Sequence, residues 1–81
     1  MTINPDVNIK IGTMSTHEAV DFLRSCGMSI TCDTLRLGIQ QGVYPWGICI
    51  TGNTSPVYQI FTRQLVDWAR ERSMEGMVRN G

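Results

Sequence analysis

Eighty-one residues with a mass of 9.1 kDa leave room for one small domain, which excludes multidomain enzymes. Hydrophobic residues make up 42% of the chain and charged residues 17%, a balance that supports a folded core rather than disorder. Seven Lys/Arg against seven Asp/Glu give no net charge, so attraction to nucleic acid or anionic membrane by bulk charge is excluded and any such contact must come from local placement.

The three cysteines, Cys26, Cys32 and Cys49, cannot all pair within one chain and form no Cys-x-x-Cys arrangement, which fits free thiols in a reducing cytoplasm. Met1 to Lys10 contains Asn4, Pro5, Asp6 and Asn8 where a secretion signal needs an apolar stretch. The longest apolar run, Val43 to Ile50, is interrupted by Pro45 and Gly47 and falls far short of the ~18 residues of a membrane span. These features predict a soluble, cytoplasmic protein without a membrane partner.

In chain order, residues 1–12 read as an extended arm in which Val7, Ile9 and Ile11 alternate well enough to pair with a sheet edge. Ser15-Thr16-His17-Glu18 has the spacing of a capping box and predicts a helix from there to about Cys26, with Ala19, Phe22, Leu23 and Cys26 on its inner stripe. Gly27 ends it. A second helix, capped by Ser29 or Thr31, is expected over Cys32–Gln41, with Leu35 and Ile39 inward and Cys32 one turn earlier on the same side. Asp33, Arg36, Leu37 and Gln40 then face outward. Gly38 inside this helix costs about 1 kcal/mol relative to alanine, which points to a close approach by a backbone or ligand. Gly42 closes the helix.

Val43–Ile50 and Val57–Phe61 are rich in strand formers and enclose the turn-forming cluster Thr51–Pro56, so they predict a β-hairpin whose pairing is confined by Pro45. A last helix, capped by Thr62 and reaching about Arg72, turns Leu65, Val66, Trp68 and Ala69 inward and allows an Arg63–Asp67 pair. Residues 73–81 read as a flexible tail. The predicted core is Phe22, Leu23, Leu35, Ile39, Ile48, Ile60, Leu65 and Trp68, and packing also accounts for Trp46 better than base stacking does. The order of elements describes an α+β fold, a small winged helix over residues 13–72 with helix-turn-helix, hairpin wing and C-terminal helix.

Chemistry-bearing clusters are sparse. His17 stands alone as a histidine in a first helical turn, and its spacing from the cysteines matches no zinc finger or ribbon. No Gly-x-Gly-x-x-Gly or Gly-Lys-Ser/Thr run exists to cradle a phosphate. A non-enzymatic protein without metal or small-molecule cofactor is therefore expected.

Thr31-Cys32-Asp33-Thr34-Leu35, Gln41-Gly42, Pro45 and the stretch Leu65 to Trp68 resemble the excisionase/MerR-like winged helix-turn-helix family. The run Leu35 to Gly47 is similar to short prophage-encoded helix-turn-helix proteins of Gram-positive bacteria. This resemblance implies binding to double-stranded DNA, with the second helix in the major groove and the hairpin wing on the flanking backbone, in an accessory recombination factor or small transcription regulator. It implies a reading face of Asp33, Arg36, Leu37 and Gln40, beside Cys32, with Asn53 and Thr54 at the wing tip. Arg36 can donate twice to a guanine edge, and Gln40 suits adenine or phosphate.

One departure weighs against strong binding by a single copy. Residues 29–61 carry one cation, Arg36, balanced by Asp33, and the hairpin carries no charge. Useful affinity then requires neighbouring copies of the chain, or a recombinase or other phage protein alongside. The same charge-poor surface admits an alternative, a protein–protein interaction module on the same scaffold, for instance in phage packaging or assembly.

Overall fold

The computed structural model describes residues 8–52 and 54–74. It is a small α+β arrangement, in chain order β1 (Thr13–Met14), α1 (Thr16–Ser25), α2 (Cys32–Gln40), β2 (Gly47–Ile50), β3 (Val57–Phe61) and α3 (Thr62–Glu71). The strands form one antiparallel sheet with β3 between β1 and β2. No helix among the described residues is long and apolar enough to cross a membrane.

The helix pair is set by its ends. At the start of α1 the Ser15 hydroxyl accepts from the Glu18 amide at 3.1 Å, while the Glu18 carboxylate accepts from the Ser15 amide at 2.9 Å. Two otherwise unpaired amides are thereby satisfied. Gly27, at φ +98°, reverses the chain: its amide donates to Arg24 and the Met28 amide donates to Leu23. Gly42, at φ +76°, repeats this motif after α2, with Gly42 donating to Ile39 and Val43 to Gly38. A side chain at either position would be forced into a conformation that L residues rarely adopt. Between the helices, Thr31 rather than Ser29 caps α2, accepting from the Thr34 amide at 3.2 Å. Arg24 Nε pins this turn by donating to the Ile30 carbonyl at 2.9 Å, and Ile30 drops into the core.

That core consists of Ala19, Val20, Leu23, Ile30, Leu35, Ile39, Trp46, Ile60 and Leu65. Helix α1 packs on α2 and β3, α2 on β2, and α3 on β3. Tyr44, Trp46 and Trp68 form an aromatic cluster beneath α2, with Tyr44 stacked on Trp46 at 4.7 Å and Trp68 edge-on to both at 5.8 and 5.6 Å.

Several expectations are corrected. Ile48 is exposed, because Gly47 and Cys49 take the inward positions of β2 and strand residues alternate faces. Phe22 and Trp68 are half-buried at the margin of the core. Cys26 is exposed as the C-cap of α1, past the last turn that faces the sheet. Thr62 is the first residue of α3 rather than its cap; Phe61 holds the cap position without a side-chain bond, and the Thr62 amide donates to the Gly12 carbonyl at 2.9 Å. Edge pairing by the N-terminal segment occurs at Thr13 and Met14, opposite Phe61 and Ile60, while Ile9 and Ile11 are exposed. Val7 and residues 75–81 of the expected tail lie outside the described residues.

The close neighbour of Gly38 is a side chain, the Tyr44 ring. A β-carbon there would stand 2.3 Å from the Tyr44 ring, which cannot swing away without breaking its stack on Trp46. Gly38→Ala is therefore expected to lose about 1–2 kcal/mol of stability despite alanine's better helix propensity. Urea unfolding of the two proteins measures this.

Candidate nucleic-acid interface

Helix α2 is amphipathic. Leu35, Gly38 and Ile39 turn inward, and the same period leaves Asp33, Thr34, Leu37 and Gln40 exposed with Arg36 half-buried. Of the six residues expected to touch DNA, the structure brings three onto one connected patch. Arg36 Nη1 approaches Asp33 Oδ1 at 3.3 Å, with side-chain exposures of 35% and 98%. The Arg36 guanidinium also lies over the Tyr58 ring, 6.0 Å from its centroid, and Gln40 Nε2 donates to the Tyr58 hydroxyl. Leu37 is 51% exposed on the same helix. Thr54 is exposed in the hairpin turn, and Asn53 lies outside the described residues.

Tyr58 is the residue that the sequence reading missed. It sits at the second position of β3, paired with Cys49, on the sheet face that looks toward α2. Strand alternation predicts that face, since Ile60 shares it and is fully buried. Only the packing of α2 across the hairpin shows that its hydroxyl reaches Gln40.

The electrostatics are modest. An exposed i,i+3 pair such as Arg36–Asp33 contributes at most about 1 kcal/mol, so the guanidinium is readily released to another acceptor. The hairpin supplies no charge. The arginines of α3 and its C-cap are engaged elsewhere: Arg63 and Arg70 with Asp67 at 3.9 and 3.6 Å, and Arg72 with Glu71 at 3.6 Å and over the Trp68 ring at 4.3 Å. The sequence expectation of an Arg63–Asp67 pair is met.

Two further features lie off this face. His17 Nδ1 stands 3.5 Å from Cys32 Sγ, joining the first turn of α1 to the first turn of α2. No group of three or more His, Cys, Asp and Glu side chains stands close enough to hold a metal ion among the described residues. A groove of about 770 Å³ runs between α1 and α3, floored by Phe22, Leu23, Met28, Val66 and Trp68 and edged by Arg70 and Arg72. Among the described residues its lining contains no carboxylate and no imidazole. No family model matches the chain, and neither a curated protein nor a solved structure is significantly similar to it.

Proposed function

We propose that this chain is a small winged-helix DNA-binding protein of the excisionase/MerR-like kind, with α2 entering the major groove and the β2–β3 hairpin acting as the wing on the flanking backbone. The observation that carries this reading is the Tyr58 bridge. By accepting from Gln40 through its hydroxyl and lying beneath the Arg36 guanidinium, Tyr58 links the outward face of α2 to the hairpin. A groove-reading helix needs such support, because phosphate contacts from a flanking element fix the register in which the helix meets the bases. The element order, a tight helix pair followed by a hairpin and a closing helix, agrees with it. The process served is accessory work in recombination or small-scale transcription regulation, and no catalytic step is assigned to the chain.

A second reading, a protein-binding module of the packaging or assembly type, is favoured by one observation: Leu37, Ile48, Ile50 and Val57 are exposed while the hairpin bears no charge. Fluorescence polarisation with labelled attachment-region and promoter duplexes separates the two. The DNA reading expects measurable binding near 50 mM salt and a shallow salt dependence, with the one cation of this face, Arg36, giving a log–log slope of about −1 per copy. Absence of binding at that salt concentration leaves the protein-binding reading.

A further inference from the structure

Strand β2 is an outer strand of the sheet, with no strand beyond it among the described residues. The Phe61 amide donates to the Trp46 carbonyl at 2.8 Å, and the register continues with Ile48 opposite Gln59 and Ile50 opposite Val57. Bonded and non-bonded pairs alternate in an antiparallel ladder, so the backbone groups of Trp46, Ile48 and Ile50 run to β3 and those of Gly47 and Cys49 point off the open edge. Folded proteins ordinarily blunt such an edge with charge, proline or a bulge. Here residues 43–61 contain no Asp, Glu, Lys, Arg or His, and Pro45 precedes the paired segment. The strand is also apolar on its outer face: Ile48 is 42% exposed, Ile50 53%, and Val57, directly across from Ile50, 50%.

We propose that β2 pairs antiparallel with β2 of a second copy across a two-fold axis, joining two three-stranded sheets into one of six strands. Only the off-edge residues can form the bonded pairs, and the register that uses most of them sets Cys49 against Cys49 of the second copy and Gly47 against Thr51. Ile48 then falls opposite Ile50 of the second copy. The exposed apolar side chains of both copies merge into one strip, and the strand is its own complement.

A second copy fits this edge better than an unrelated chain for two reasons. The meeting surfaces are uncharged on both sides, so self-pairing meets no like-charge repulsion. An isologous contact also consumes the edge and closes at two copies. The apolar strip is small beside the ~800 Å² per partner of a standard interface, which places the dimer in the weak, concentration-dependent class.

Bonded antiparallel partners have α-carbons about 5.5 Å apart, within the span of a disulfide. The test is therefore a thiol cross-link on the full chain carrying Cys26→Ser and Cys32→Ser, leaving Cys49 as its one thiol. Treatment with diamide removes one hydrogen from each of two Cys49 thiols, reducing the diazene to its hydrazine and forming the S–S bond. The expected result is a covalent dimer on a non-reducing gel, absent when Cys49→Ser is added. In parallel, light scattering from micromolar to millimolar protein should show monomer passing to dimer, with Ile48→Lys/Ile50→Lys weakening the association at least tenfold and leaving the circular dichroism spectrum unchanged. A protein that stays monomeric throughout overturns the proposal, as does cross-linking that runs equally well through Cys26 or Cys32 in matched single-thiol variants. Assembly past two copies overturns it as well. None of these measurements includes DNA, so their failure is separate from failure of the DNA-binding reading.

Discussion

Trp46→Ala is expected to lose about 3–5 kcal/mol of stability, the largest single effect in the chain. The indole is fully buried, stacked on Tyr44 and edge-on to Trp68, and its removal leaves a cavity that a domain of this size cannot easily collapse. Total stability for a native domain is about 5–15 kcal/mol, with small domains at the low end, so the variant should be substantially unfolded at physiological temperature. Trp46 Nε1 has no hydrogen-bond partner within the described residues. Trp46→Phe should therefore recover most of the loss, since it sacrifices no hydrogen bond and relieves an unpaired buried donor. Urea melts followed by far-ultraviolet circular dichroism give both values. A loss below about 1 kcal/mol for the alanine variant would show that the aromatic cluster does not hold the hairpin against α2.

The largest functional effect is expected at Arg36. On the proposed DNA reading, in which its guanidinium donates to a base edge, Arg36→Ala should weaken duplex binding by about 1–3 kcal/mol. Arg36→Ala also leaves Asp33, which is 98% exposed, uncompensated beside the phosphates. Asp33→Asn should act in the opposite direction, because it removes that repulsion and frees Arg36 from its 3.3 Å pair. Polarisation titrations of the two variants against wild type measure the contrast. Equal affinities for all three would mean that the patch takes no part in binding DNA.

Much of the backbone was legible because its signals are local. The Ser15/Glu18 capping box, Gly27 and Gly42 at helix ends, and the polar cluster of residues 51–56 each act within a few residues, and each stands where expected. Helical period found Leu23, Leu35, Ile39 and Leu65. Tertiary choices were less legible. Ile48 and Cys49 are both strand formers, and only the register against β3 decides which of them faces inward. Ile30 lies in a turn, where no period marks it for burial; its place depends on the reversal at Gly27 and the bond from Arg24. The reason for Gly38 was half visible, since its lack of a side chain announces a close neighbour without naming Tyr44. Within the candidate interface, Arg36 and Gln40 followed from helical spacing, whereas their shared support by Tyr58 spans the hairpin and has no local signature.

The most direct test of the α2 reading face is a titration of isotopically labelled protein with an unlabelled duplex at low salt, followed by amide chemical shifts. The account predicts that the shifting amides concentrate in residues 32–41 and in the hairpin segment 51–56, with those lining the groove between α1 and α3 little changed. Shifts confined to α3 or to the N-terminal segment, with α2 silent, would contradict it.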